Sequence, residues 1–501
     1  MTRTSAGREA APSQPKPHDD EAPDPHRWRA LAVCLVGGFM VLLDVSIVNV
    51  ALPSIQTGLH AAESQLQWVV SGYALTFGLL LVPAGRFGDL RGRRTVFVGA
   101  LALFTLASAA CGAAPNASTL VFARLVQGLA GGTLTPQISA TIQELFRGRE
   151  RGRAFGYFGT VVGISTAIGP LLGGLLIQAF GDSEGWRAVF YVNIPIGLIA
   201  MPFAWRLLPK RDDHAAPRKH DYDPIGVLLL GAGAVALLLP FVQEREWGSW
   251  KWFLVPGAAA IIAAFVLWDR RYIGRGKEPL VDFGLYRRRS YAFGSGMITL
   301  YFAGFTPLFF VFTLYLQAGL SYTALAAGLA ITPFAVGSAF GAALGGKRVH
   351  DYGRPLVAAG LVLVIIGFVG TVIAVHLVPE SGTGWATVLP LLIAGLGGGL
   401  VIAPNQALTL SEVPVEQAGS AGGLLQTGQR VGAAVGIAAV GSAFFTAVAN
   451  SHGDFAHAFQ SGMLVAICFV AAAFVAALVD IVVDRRSQHG KHEAATGSAS
   501  P

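Results

Sequence analysis

Polar and apolar positions along this chain do not alternate over the short periods of a soluble protein. Apolar runs of about twenty residues recur instead, the length at which a helix crosses roughly 30 Å of hydrocarbon. We read fourteen, near residues 30–50, 66–85, 95–113, 118–141, 154–179, 187–208, 224–243, 251–269, 291–316, 325–345, 355–378, 385–410, 420–447 and 461–483. They predict an all-α polytopic membrane protein.

Composition agrees, since 53% of the 501 residues are hydrophobic and only 13% charged, against about 25% charged in ordinary soluble domains. Charge then orients the spans, because lysine and arginine collect on the cytoplasmic side. With the amino terminus inside, inner segments hold 31 of the 36 basic residues. Only Arg187, Arg245 and Lys251 fall outside, while Arg124 and Arg430 lie within spans. Both termini are thus expected in the cytoplasm, with the net charge of +7 facing anionic lipid of the cell membrane. Basic residues spread over alternating short loops do not make the compact face that nucleic acid requires.

Residues 1–27 and 485–501 are expected to be disordered cytoplasmic tails. Cys34, Cys111 and Cys468 lie in different spans and the histidines are scattered, so no disulfide or metal site is expected.

The loop "GRFGDLRGRR" (Gly85 to Arg94) returns in degenerate form as "GKRVHDYGR" (Gly346 to Arg354). In each, a Gly-Arg pair starts seven residues after the first glycine, Gly85 to Gly92 and Gly346 to Gly353. Such a repeat in a polytopic chain suggests two similar bundles. The expected organisation is an N-terminal six-helix bundle over 28–208, a linker over 209–290 holding two inserted helices (224–243, 251–269), and a C-terminal six-helix bundle over 291–484.

Asp44 stands about two-thirds of the way along the first span, in "LDVSIVNVALP". A charge near the bilayer centre costs on the order of 2.5–3.5 kcal/mol on insertion scales, so this carboxylate must face protein or water, and intramembrane acids commonly mark ion pathways. It is a candidate proton carrier; the alternative is a carboxylate that only holds helices together. Glu144 and Asp480 are the fallback positions. Asn49, about one turn further out, reads as a helix-packing hydrogen-bonder or as part of a substrate cavity. Arg124 cannot carry a proton, but a cation near a carboxylate favours its ionised form, so its approach or withdrawal could time proton release.

The fifth span carries Gly156, Gly159, Gly163, Gly169, Pro170, Gly173 and Gly174. Glycines at this spacing bare one helix face for a neighbour's backbone and the proline favours a kink, which suits a hinge between bundles. In the repeated loop, Asp89 with Arg86, Arg91, Arg93 and Arg94 reads as a latch whose charges meet partners or helix ends in one conformation.

Taken together, "GRFGDLRGRR", "LVFARLVQGLAGG", "GISTAIGPLLGG" and "LDVSIVNVALP" resemble motifs of the major facilitator superfamily and of its drug:proton antiporters. "WRAVFYVNIPIG" and "EPLVDFGLYRRRS" look like marks of the fourteen-span branch, and the likeness covers roughly residues 28–484. Leu90 departs from it by standing where a basic residue is usual, and Ser46 by replacing a threonine. The resemblance implies a major facilitator fold, alternating access, a conformational role for Gly85, Asp89 and Arg93, and a proton-coupling role for Arg124 with Gln127 and Gly128 completing its motif. It also implies the drug-antiporter assignment of the Gly163, Gly169, Pro170 and Gly173 segment.

For the substrate, Tyr301, Phe305, Phe309 and Phe312 share one helical stripe that could wall an aromatic pocket or face lipid. Gln426, Gln429 and Arg430 could touch substrate or pack the bundle. Spans nine to thirteen hold no acid in their apolar cores, so a small hydrophobic substrate, neutral or monocationic, is expected. The expected function is export of hydrophobic drugs, antibiotics or secondary metabolites in exchange for protons, by a monomer without cofactor. A rival on the same scaffold is a proton-coupled exporter of one polar metabolite, such as an amino acid or sugar derivative. A membrane enzyme would need loops bearing clustered His, Asp, Glu, Ser or Cys, and ATP as energy source would need a phosphate-binding glycine loop; neither is seen. A passive channel would not need this set of motifs.

Overall fold

The computed structural model describes residues 24–181, 183–210, 223–242, 251, 253–275, 277, 279–378, 382–451 and 453–497. Its helices are α1 (Arg27–Leu59), α2 (Glu63–Arg91), α3 (Arg93–Gly112), α4 (Ala117–Leu145), α5 (Gly148–Phe180), α6 (Gly185–Tyr191), α7 (Asn193–Leu207), α8 (Pro224–Val242) and α9 (Leu254–Gly274). They continue with α10 (Arg289–Leu314), α11 (Ala324–Tyr352), α12 (Arg354–Leu377), α13 (Thr383–Ala386), α14 (Val388–Thr409), α15 (Ala418–Asn450) and α16 (Phe455–Gly497).

Among the described residues eleven helical stretches are long and apolar enough to cross a bilayer. A helix stands at each of the fourteen apolar runs, but α4, α8 and α9 fall outside that set of eleven. Helix α4 carries Arg124 and several glutamines, which lower its hydropathy. Where the helices meet no protein, their surface is apolar: Leu106, Phe122, Leu228, Phe340 and Leu377 are each about 67–71% exposed. That is the outside of a protein whose solvent is hydrocarbon.

Two expected spans are broken, and proline explains both. Pro195 has no N–H to donate to the carbonyl of Tyr191, and the helix divides at Val192 into α6 and α7. Pro390 stands in the same relation to Ala386, and the break falls at Thr387 between α13 and α14. Helix α16 runs on to Gly497, past the point where a tail is expected to begin, and residues 498–501 lie outside the described residues. Of the other expected tail, residues 1–23 lie outside the described residues.

Helices α1 to α7 pack mainly on one another, as do α10 to α16. Two seams join the sets: α5 lies against α11, and α2 against α15. The α8–α9 pair packs on the second seam, with Leu79 meeting Gly231 and with Val82, Phe265, Leu280 and Val281 sharing an apolar cluster. Beyond it a turn at Phe283–Arg287 leads into α10, and Asp282 accepts a hydrogen bond from Gln417 just before α15 (3.3 Å).

Candidate functional site

Asp44 is fully buried, with 0% exposure, at the centre of a polar cluster inside the first set of helices. Its Oδ2 accepts from Nη1 of Arg124 at 2.6 Å. Its Oδ1 accepts from Nε2 of Gln127 at 2.8 Å and Nδ2 of Asn193 at 3.2 Å. Four helices therefore supply the site: α1 the acid, α4 the arginine and glutamine, α7 the asparagine, and α3 Ser108, whose Oγ accepts from both Gln127 and Asn193.

Each partner is itself anchored. Arg124 donates its Nε to the carbonyl of Val69 in α2 (3.0 Å), and its guanidinium lies 4.1 Å from the centroid of the Tyr73 ring. Gly128 permits this reach, because a Cβ there would stand 2.2 Å from Oγ1 of Thr76 and 2.5 Å from the carbonyl of Tyr73. Ser108 donates to the Phe190 carbonyl at 2.9 Å. An apolar shell of Ile47, Val48, Val69, Cys111, Trp186 and Phe190 covers one side of the cluster. A charge pair so enclosed is held by oriented hydrogen bonds that water does not compete for. Asn193, Ser108 and Tyr73 were not singled out from sequence. The available signal was small polar side chains within apolar spans, and Asn193 sits inside the motif "WRAVFYVNIPIG".

At the end of the molecule that carries the basic loops, Asp89 meets the other set of helices. Its Oδ1 accepts from the backbone N–H of Gly419 and its Oδ2 from that of Ser420, both at 3.2 Å, at the start of α15. Those N–H groups have no carbonyl partner within their own helix, and the helix dipole favours an anion there. Arg93 holds the same carboxylate at 3.3 Å, donates to the Ala140 carbonyl and Glu144 of α4 at 2.7 and 2.8 Å, and also reaches the carbonyl of Val415. The second copy of the loop makes the matching contact on the other seam. Asp351 pairs at 2.6 Å with Arg149, at the start of α5. Ser139 of α4, which accepts from Gln406 and Gln426 across the interface, lies at this end as well.

The glycines of α5 divide chiefly between α11 and α1, with Gly159 also meeting Ala403 of α14, instead of sharing one face. Gly152, Gly156, Gly159 and Gly163 lie against α11, where a Cβ on Gly163 would stand 2.9 Å from the Ala339 nitrogen. Gly169 and Gly173 lie against α1, at Ser46 and Ile47, inside the first set, while Pro170 meets Gly328 of α11. The single bare face expected from spacing is thus two faces, offset along a helix of 33 residues.

The aromatic stripe also divides. Tyr301 and Phe312 are fully buried, Phe312 against Phe459, and Tyr301 stacks on Phe305 at 5.2 Å. Phe305 and Phe309 are only partly buried and close on Phe334 at 5.4 and 5.3 Å. Asn49 is exposed, and its amide donates to Val45 of its own helix at 3.3 Å. The guanidinium of Arg430 lies 4.5 Å from the centroid of the Phe77 ring on α2, across the seam.

A bundle of membrane-length helices in two sets, with a buried acid–arginine pair and a polar closure at one end, is the architecture of a polytopic transporter. The chain belongs to the major facilitator superfamily, whose model matches residues 34–437. It is 35% identical over 448 residues to a probable actinorhodin transporter of Streptomyces coelicolor, covering 87% of this chain and 77% of that protein. It is 34% identical over 497 residues to a puromycin resistance protein of Streptomyces alboniger, covering 96% and 95%. Its fold is similar to the crystal structure of the human organic anion transporter MFSD10 (TM-score 0.65, 15% identity, 91% of this chain and 100% of that one).

Proposed function

We propose that the chain is a proton-coupled antiporter that exports small hydrophobic compounds, antibiotics or secondary metabolites among them, across the cell membrane. The observation that carries this reading is Asp44, a carboxylate fully buried between helices and paired with Arg124. Relatives named for actinorhodin transport and puromycin resistance support the substrate class. In this reading fourteen helices span the bilayer as two six-helix bundles and an inserted pair, the basic end and both termini face the cytoplasm, and the protein works as a monomer without cofactor.

The geometry supports the following sequence of events. With Asp44 ionised, Arg124 is held between Asp44 and the Val69 carbonyl, fixing α4 against α2. Protonation of Asp44 removes one charge of the pair and frees Arg124 to move. Helix α2 carries both Val69 and Asp89, so a shift at Arg124 is passed along one rigid element to the latch on α15. Release of the latch opens the basic end to substrate, and loss of the proton there restores it. The Asp44 proton and the closure are thereby two ligands of one two-state equilibrium.

The test is transport of puromycin and actinorhodin in proteoliposomes of the purified protein. Accumulation against a concentration difference should follow an imposed pH gradient and stop when nigericin collapses it. Accumulation that survives collapse, or that needs ATP, would count against the reading.

A further inference from the structure

Among the described residues, several arginines buried between helices are paired with acids, and Arg430, in the middle of a span, is not. Arg124 is paired with Asp44, Arg93 with Asp89 and Glu144, and Arg289 and Arg354 with Asp480. Arg430 lies partly buried in the middle of α15, and among the described residues no carboxylate forms an ion pair with it. Its guanidinium rests instead on the Phe77 ring, which stacks at 5.9 Å on Tyr73. The Tyr73 hydroxyl is buried and lacks a hydrogen-bond partner among the described residues. Beyond Tyr73 lies Arg124, so two cations cap one pair of rings, and only the inner one is neutralised. A permanently charged side chain left unpaired within the membrane is costly. A cation on an aromatic face with a free hydroxyl nearby is built to receive an anion together with an aromatic body.

We infer that Arg430, with the Phe77–Tyr73 stack, binds the acidic group of an aromatic substrate, a carboxylate or ionised phenol, at the interface of α2 and α15. This rests on the antiport reading and narrows its substrate class from hydrophobic molecules in general to aromatic acids, disfavouring the monocation expected from sequence. It also changes the charge carried. A neutral molecule leaving as one proton enters moves one charge, whereas a monoanion leaving moves two.

The probes are anthracene-9-carboxylate and its methyl ester, which differ in charge and share the ring system. Purified wild-type protein should bind the carboxylate about tenfold more tightly than the ester, the scale of a charged hydrogen bond. Arg430→Gln should remove that preference by weakening the carboxylate about tenfold more than the ester, and Arg430→Lys should retain most of it. Equal loss for both probes, or no preference in the wild type, overturns the assignment. Should Arg430→Gln fail to fold, the wild type alone decides: in proteoliposomes the limiting gradient of the carboxylate should depend on membrane voltage twice as steeply as that of the ester, and equal slopes overturn the assignment. The two readings fail separately. Pumping of the ester without preference for the carboxylate sinks the role of Arg430, whereas preference in binding without pumping of either probe sinks antiport.

Discussion

Gly85 of α2 and Gly419 of α15 touch backbone to backbone: a Cβ on Gly85 would stand 2.1 Å from the Gly419 carbonyl oxygen, and one on Gly419 would stand 2.4 Å from that of Gly85. The crossing is what brings Asp89, four residues on, within reach of the start of α15. Gly85→Ala gains about 1 kcal/mol of helix propensity, but the contact is with backbone and overpacking costs about 1–3 kcal/mol. The clash should win. Closure at the basic end should weaken, and a cysteine at Ser139, buried beneath that closure, should react with a thiol reagent several times faster in Gly85→Ala than in the parent carrying Gly85. Unchanged labelling would show that this crossing does not hold the closure.

The two copies of the loop make similar contacts of unequal worth. The Asp89 side chain is 2% exposed and its Arg93 partner 9%, whereas Asp351 and Arg149 are 41% and 65% exposed. Exposed ion pairs contribute roughly 0–1 kcal/mol, while a buried carboxylate holding backbone N–H groups contributes more. Asp351→Asn should change the transport rate less than about twofold, and Asp89→Asn about tenfold or more, on that energy scale. Equal effects, measured as initial rates of substrate uptake at matched expression, would place the controlling contact elsewhere.

This inequality was beyond the reach of the sequence, where both loops look alike and differ chiefly by the acid's displacement of one residue. Apolar run length located the helices well, because hydrocarbon thickness imposes it. Asp44, Arg124 and Gln127 were legible as a site because ionic and amide groups in oil must find one another, and the structure joins them at 2.6–2.8 Å. Ser108 and Asn193 were not, since small polar residues are tolerated in spans for packing alone. The division of the α5 glycines was hidden as well: which neighbour each meets depends on where α1 and α11 cross the helix, and no periodicity states that. Tyr301 shared its stripe with Phe305 in sequence, yet α14 buries the first and leaves the second partly open.

Sidedness rests on charge, and single cysteines test it in a background lacking Cys34, Cys111 and Cys468. Ala113, exposed between α3 and α4 on the side poor in basic residues, and His350, exposed at the basic end of α11, are suitable positions. Ser290 is not, because its hydroxyl is engaged with Leu408 and Arg354. In intact cells an impermeant thiol reagent should label Ala113→Cys and spare His350→Cys, with both labelled after permeabilisation. Labelling of His350→Cys in sealed cells would reverse the orientation.

The last prediction separates what Asp44 does for folding from what it does for coupling. Asp44→Asn leaves Arg124 buried at 2% exposure without its counter-charge, and breaking a buried pair from one side costs about 3–5 kcal/mol. The single variant should therefore melt at lower temperature and also fail to pump. Removing both charges, in Asp44→Asn with Arg124→Gln, relieves the orphaned cation, so much of the lost thermal stability should return. Pumping should not return, since an amide cannot take up and release a proton, although downhill exchange of substrate can persist in a folded protein. A stable double variant that still accumulates substrate against a gradient would show that Asp44 only holds helices together and that the proton is carried by another acid, with Asp480, gripped by Arg289 and Arg354 in the second set of helices, the next to examine.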